Sequence, residues 1–255
     1  ETGRHCVMLE NCCYDTWHLG VREMVRRGML GRVKHLEGAY AHTVPEGWMR
    51  AHGRRQGGNP YPTHALGPMC QLLPDGDTLD YLVSLSSPIP GDHTNTSLIR
   101  SVSGVSMLLH YDISTPRPYS RMQKYPLPTV HLEMGKDVLE LSGDEAVEYV
   151  EGFIPPHFKS MIDEGRAIGV PNVMNYMMDR RLLDAIEQIR QARAEGRPEP
   201  VCLDMDVYDA ALWSSVIELT DMSARRGSAP VMFPPFALPE DKGESPRVTG
   251  ASHRG

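Results

Sequence analysis

The sequence predicts an α+β fold, a mainly antiparallel open sheet with helices on one face. Two observations carry the prediction. Strand-like apolar runs cluster between residues 33 and 141, and the 3.6-residue rhythm of amphipathic helices lies before and after them. The regular strand–helix–strand alternation of a doubly wound sheet is missing. So is a G-x-G-x-x-G string, because Gly28, Gly31, Gly57, Gly58 and Gly104 fall out of register for it.

The elements follow in order. Val7–Leu9 is a short apolar run and reads as a buried strand. Asp15 or Thr16 can cap a helix in which Trp17, Val21, Met24, Val25 and Gly28 share a face, with Arg22, Glu23, Arg26 and Arg27 opposite. Gly28 and Gly31 end it. Val33–Thr43 alternates as a strand, and the stretch from Pro45 to Pro60 is a loop rich in Arg and Gly. Pro62, followed by Leu66, Met69, Cys70 and Leu73, predicts a helix over Ala65–Leu73. Leu79–Ser86 and Ser97–Val102 read as strands, and Ser103-Gly104 turns the chain into a further strand, Val105–Asp112. Pro116-Arg117-Pro118-Tyr119 is irregular, because two prolines remove donors and fix φ. Thr129–Met134 and Val138–Leu141 form a hairpin around Gly135-Lys136-Asp137. Val173, Met174, Met177, Met178, Leu182, Ile186 and Ile189 keep helical rhythm over several turns, which assigns the methionines to core packing. A polar linker, Ala194 to Pro200, leads to an amphipathic helix over Met205–Met222 and a peripheral tail after Gly227.

Composition narrows the function classes. The 255 residues carry a formal charge of −7, which argues against a nucleic-acid partner, whose readers present a basic face. No apolar run approaches the roughly 20 residues of a membrane span. The first residue is Glu1 and no signal-peptide pattern follows, so the chain reads as processed or as a fragment. The five cysteines, Cys6, Cys12, Cys13, Cys70 and Cys202, are odd in number and include an adjacent pair, which predicts buried reduced thiols over a disulfide framework. H-E-x-x-H and C-x-x-C are absent, so no metal site is expected, and no G-x-S-x-G nucleophile elbow occurs.

What remains is a set of Tyr, His, Arg and Asn in loops and at element ends. Tyr61 and His64 are three apart and would share a helical face; Gly57-Gly58-Asn59-Pro60 before them would let backbone approach a ligand. Glu10-Asn11-Cys12-Cys13-Tyr14 joins the first strand to the first helix, where ligand contacts concentrate. Hydroxyls, imidazole and guanidinium suit a polyhydroxylated ligand, and His and Tyr can carry protons.

Four strings occur in order: Met8-Leu9-Glu10-Asn11-Cys12-Cys13-Tyr14; Gly58-Asn59-Pro60-Tyr61-Pro62-Thr63-His64-Ala65-Leu66-Gly67-Pro68; Thr115-Pro116-Arg117-Pro118-Tyr119-Ser120-Arg121; and Asp204-Met205-Asp206-Val207-Tyr208-Asp209-Ala210-Ala211. Together they resemble glycoside hydrolase family 109, the NAD-dependent α-N-acetylgalactosaminidases of the glucose–fructose oxidoreductase / inositol dehydrogenase / MocA superfamily. The resemblance spans about Thr2 to Phe236. It implies a bacterial enzyme with an N-terminal Rossmann domain holding NAD, absent from this chain. Residues 1–12 would end that domain, 13–236 would form the α+β substrate domain, and 237–255 a peripheral tail.

The implied reaction is redox-neutral. NAD takes a hydride from C3 of the sugar, the acidified C2 proton leaves, the glycosidic bond breaks by elimination, water adds, and the hydride returns with overall retention. No carboxylate dyad at the usual glycosidase spacing is required. By the same resemblance Asn11 contacts NAD, and Tyr61 stands between cofactor and sugar. His64, with Tyr61 and Tyr14, is catalytic; Tyr40, Arg50, Tyr61, His64 and Tyr119 line the substrate. The implied partner is a carbohydrate, an N-acetylgalactosaminide, and the implied assembly a homodimer through the open sheet face. The compartment is cytoplasmic or periplasmic after folded export. This chain departs from the family pattern in placing Gly169-Val170-Pro171-Asn172-Val173-Met174-Asn175 where a His-Gly-Gly-Met-Asp string is usual, and Ala65 where Gly is usual. Two alternatives stay open: a sugar or cyclitol oxidoreductase of the same superfamily, and a non-catalytic sugar-binding or assembly module.

Overall fold

The computed structural model describes residues 5–41, 57–89, 91–115, 120–121, 130–134, 137–141, 143–200 and 203–236. The chain opens on a 3-10 turn, Asn11–Tyr14, and Asp15 then caps α1 (Thr16–Arg26) by accepting from the Trp17 backbone N–H at 3.1 Å. Six strands follow in one sheet: β1 (His35–Ala41), β2 (Leu79–Ser86), β3 (Thr94–Ser101), β4 (Ser106–Asp112), β5 (Ser120–Arg121) and β8 (Val231–Met232). Their order is β5-β1-β4-β3-β2-β8; β1 and β4 run parallel and every other pairing is antiparallel. A separate hairpin joins β6 (Val130–Met134) to β7 (Asp137–Leu141).

Helices α2 (Thr63–Cys70), α3 (Gly143–Glu151), α4 (Pro156–Ala167), α5 (Val173–Ala194) and α6 (Val207–Arg225) complete the fold. Leu82, Ile99, Met107 and Leu109 on the inner sheet face bury against Leu66 and Met69 of α2 and Trp213 and Val216 of α6. Burial of each such side chain stabilises by about 1.5–3 kcal/mol. Asp206 caps α6 with a reciprocal capping box to Asp209, which fixes where that helix starts against the sheet. The outer face carries Val83, Leu98 and Leu108 in one cross-strand row, with Leu98, Leu85 and Met232 exposed. That is the open face expected from the sequence.

The structure departs from the expected elements in four places. The tail after Gly227 is not peripheral at its start: Val231–Met232 pair with β2 as β8, and Val231 and Phe233 are buried in the core. Val7–Leu9 is not a strand: Val7 makes one isolated bridge to Asp206, and the Met8 N–H reaches Met205 O at 3.4 Å. The joint between that segment and α1 is itself a 3-10 turn. Residues 143–167, to which the sequence reading assigns no element, form α3 and α4. Their buried stripes are only Ala146 and Val150, then Phe158, Ile162 and Gly165, too sparse to announce a period. Among the described residues no helix is long and apolar enough to cross a membrane.

Candidate active site

The site gathers at the carboxyl ends of the parallel strands, where Tyr40 of β1 stands in register with Tyr111 of β4. Their rings stack 6.1 Å apart at 12°. Tyr61 packs on Tyr40 at 5.0 Å between centroids, and His64 approaches Tyr40 edge-on at 5.7 Å and Tyr61 at 4.7 Å. The Tyr61 hydroxyl lies 3.3 Å from His64 Nε2. Tyr61, His64 and Tyr40, expected from the sequence, therefore meet in one cluster, although Tyr61 precedes the helix that carries His64.

The connection leading to Tyr61 is tied to α6. The Asn59 N–H donates to Thr220 Oγ1 at 2.8 Å, and Asn59 Oδ1 accepts from the Tyr61 N–H at 3.0 Å. Gly58 adopts φ +83°, and a Cβ there would stand 2.8 Å from the Asp221 backbone nitrogen. The close approach that Gly57 and Gly58 make among the described residues is to α6 of the same chain. Asn59 Nδ2 and the Tyr111 hydroxyl are buried without a hydrogen-bond partner among the described residues. Burial, with Tyr40 and Asp112 nearby, pushes the Tyr111 hydroxyl upward.

Behind His64 lies Glu10, buried at 2% side-chain exposure, with Oε1 2.7 Å from His64 Nδ1. The approach is at ion-pair distance, although its angles fall short of a well-directed hydrogen bond. Glu10 Oε1 also accepts from the Cys12 N–H at 3.1 Å. Burial pushes the Glu10 carboxyl up, but the His64 imidazole, Thr63 and the Cys12 N–H outweigh it and hold it below the usual glutamate value. Glycine at position 67 makes the contact possible, since a Cβ there would meet Trp213 at 3.0 Å, Cys13 Sγ at 3.1 Å and Glu10 Cγ at 3.2 Å.

With Cys12, Glu10 and His64 present ligand atoms within 4.8 Å of one another. Local sequence spacing, which gave no metal expectation, does not reveal this grouping. Of the cysteines, Cys12, Cys13 and Cys70 are buried as expected; Cys6 is exposed, and Cys202 lies outside the described residues.

Asn11 donates from Nδ2 to Asn175 Oδ1 at 2.6 Å, and its own Oδ1 is buried without a partner among the described residues. Asn175 stands in the first turn of α5, where Asn172 caps by accepting from the Met174 N–H at 3.0 Å. The departing string Gly169–Asn175 thus supplies both a helix cap and the neighbour of Asn11.

Tyr14 lies elsewhere. Its hydroxyl donates to Asp204 Oδ2 at 2.8 Å, and its ring contacts Phe158 edge-on at 6.2 Å. Arg181 clasps the same carboxylate with two bonds of 2.7 and 2.8 Å. Burial pushes Asp204 up, but Arg181 and Tyr14 outweigh it and hold it below the ordinary aspartate value. Burial and the adjacent Asp204 push the Tyr14 hydroxyl far above its usual range. Among the described residues the Tyr14 hydroxyl thus bonds Asp204, whereas Tyr61 and His64 meet each other. Arg50 and Tyr119, the other expected substrate residues, lie outside the described residues.

Sequence reasoning missed Glu10 as a partner of His64, and it missed Tyr111 and Asn175. Glu10 sits inside a quoted string and Tyr111 inside a predicted strand, but Asn175 lies where the family pattern is lost.

The mainly antiparallel sheet with helices on one face is a fold shared with solved oxidoreductases. An inositol dehydrogenase homolog from Azotobacter vinelandii complexed with NAD+ is similar over 90% of this chain and 65% of its own, at TM-score 0.60 and 15% identity. An oxidoreductase from Pseudomonas syringae is similar at TM-score 0.58 and 14% identity, over 90% of this chain and 65% of its own. At such identities the likeness speaks for the fold alone.

Residues 89–241 match the family described as Glycosyl hydrolase 109, C-terminal domain, and the chain belongs to glycosyl hydrolase family 109. A protein of Phocaeicola vulgatus named Glycosyl hydrolase family 109 protein 2 is 39% identical over 92% of this chain and 66% of its own length. A Bacteroides fragilis protein named Alpha-N-acetylgalactosaminidase is 37% identical over 92% of this chain and 64% of its own. The chain thus spans just under two thirds of the length of these relatives.

Proposed function

We propose that this chain is the substrate-binding portion of an NAD-dependent retaining glycosidase that releases terminal α-N-acetylgalactosamine. Residues 1–12 would end the nucleotide-binding half, and residues 13–236 would form the substrate domain. The observation that carries the reading is the Tyr40–Tyr61–His64 cluster. It offers aromatic faces for a sugar and, at the Tyr61 hydroxyl and His64 Nε2, a pair 3.3 Å apart that can pass a proton. Family membership and the name of the Bacteroides fragilis relative support the substrate class.

The residues present fit an edge of the cofactor. The Oδ1 of Asn11, without a partner among the described residues, is an acceptor suited to a carboxamide donor, and in the same reading Tyr61 would stand between cofactor and sugar. NAD, when bound, would take the hydride from C3 of the sugar and return it later in the cycle. His64 and Tyr61 would accept the hydroxyl proton that must leave with that hydride and give it back on its return. Tyr40 would hold the sugar ring. The cross-strand row Val83, Leu98 and Leu108, of which Leu98 is exposed, supports a homodimer through the outer sheet face.

An assay of the enzyme carrying its N-terminal half tests the proposal. Aryl release from an aryl α-N-acetylgalactosaminide without net NADH is the expected result. NADH accumulation on free sugar would make the protein an oxidoreductase, and sugar binding with neither product a binding module.

A further inference from the structure

We infer that Glu10 is a positioning residue for His64: its carboxylate fixes the proton on Nδ1, aims Nε2 at the reacting group, and offsets the charge the ring acquires. The inference rests on the reading of His64 as the acid/base.

The geometry leads there in three steps. First, Glu10 is almost fully enclosed, packed under α2 where Gly67 leaves room for its stem. Enclosing a carboxylate is costly unless charge or donors compensate. Here the compensation is the His64 imidazole at 2.7 Å and the Cys12 N–H at 3.1 Å.

Second, an ionised carboxylate only accepts hydrogen bonds. A ring proton on Nδ1, 2.7 Å from that carboxylate though off the hydrogen-bond line, is the one its charge favours in the neutral imidazole, which leaves the Nε2 lone pair facing the Tyr61 hydroxyl at 3.3 Å. The opposite tautomer would set a bare Nδ1 against a carboxylate and present an N–H to the side where a base is needed.

Third, the proton account closes. A proton from Tyr61, or from a substrate hydroxyl through it, passes to Nε2, and the ring becomes an imidazolium with both nitrogens protonated. The carboxylate balances that charge in place, and Nε2 returns the proton in the reverse step with no net change. A carboxylate that orients a histidine in this way, without itself gaining the proton, is a known arrangement in acyl transfer, where its removal costs about 10⁴-fold. Among the described residues the second nitrogen meets the Tyr61 hydroxyl at the strand ends, so the ring joins the carboxylate to a group that can exchange a proton.

The test compares wild type with Glu10→Gln in EDTA, so that no cation held by Glu10, Cys12 and His64 stands in. Nitrogen-15 shifts of His64, measured on the chain described above, should show a protonated Nδ1 and a bare Nε2 in wild type, and a mixed population in Glu10→Gln. With the N-terminal half present, kcat for aryl release should fall about 10²-fold with KM within about 3-fold, and Glu10→Asp should recover part of it. A wild-type ring protonated on Nε2 overturns the inference. So does a Glu10→Gln protein with unchanged tautomer and kcat within 2-fold, or one whose kcat, KM and melting temperature move together with the tautomer unaltered. If Glu10→Gln does not fold, the wild-type tautomer decides alone. If wild type releases no aryl group, the glycosidase reading fails while the tautomer still decides the role of Glu10.

Discussion

Two polar clusters flank the same 3-10 turn, and they are built on opposite principles. On the Tyr14 side, Asp204 receives two bonds from Arg181 and one from Tyr14. On the Glu10 side, Asn11 Oδ1, Asn59 Nδ2 and the Tyr111 hydroxyl are buried without partners among the described residues, and His64 Nδ1 is met at short distance but poor angle. Each orphaned group costs about 1–3 kcal/mol. A saturated network contributes stability and holds little in reserve for a ligand; an unsaturated one stores binding capacity at the expense of stability. On the function proposed above, chemistry would fall to the Glu10 side and fold maintenance to the Tyr14 side.

The sharpest way to break it is at His64. Glutamine there keeps a donor for Glu10 but cannot shuttle a proton. His64→Gln should lower kcat for aryl release about 10³-fold, within the range of acid–base catalysis, while the denaturant midpoint stays close to wild type. Stopped aryl-release assays and urea titration read the two effects. A variant that keeps activity within a few-fold removes His64 from the reaction.

The sequence carries the frame of this arrangement. β2 has the bounds its apolar run predicts, and α1 begins at the cap that Asp15 announces, because alternation and capping are local signals. Tyr61 and His64 are likewise legible, since three residues separate them. The Glu10–His64 pair is not, because it forms only when α2 settles onto the 3-10 turn through Gly67. Nor is the placement of Tyr14: a tyrosine one residue before a helix cap points to either cluster with equal ease, and only Asp204 and Arg181, far along the chain, decide.

Histidine 18 sharpens the comparison from within one residue type. It is buried on α1, with Nε2 2.9 Å from Gln71 Oε1, and burial lowers its pKa to about 4. The unfolded chain protonates this residue near its ordinary value, so between about pH 6.5 and 4 it holds a proton the folded state lacks. Stability from this group is therefore complete above pH 6.5 and lost as pH falls toward 4, by about 3 kcal/mol in all. His18→Gln retains a partner for Gln71 without titrating. Urea unfolding across pH 4–7 should show the wild-type curve falling more steeply than the variant by that amount. Parallel curves would mean that His18 is protonated in the fold and that burial does not govern it.

The smallest effect falls at Tyr14, where the resemblance implies catalysis and the contacts imply structure. Phenylalanine there removes one donor from Asp204 and leaves both Arg181 bonds in place. The expected loss is about 1.5 kcal/mol of stability, the size of one hydrogen bond to a charged acceptor. Aryl-release kcat should stay within about 2-fold of wild type. The ring contact with Phe158 survives the substitution, so the packing stays constant and the hydroxyl alone is tested. A folded Tyr14→Phe enzyme that loses more than 10-fold in kcat, at unchanged stability, would mean that the hydroxyl leaves Asp204 during turnover and reaches the sugar. The two clusters would then form one site divided by the 3-10 turn.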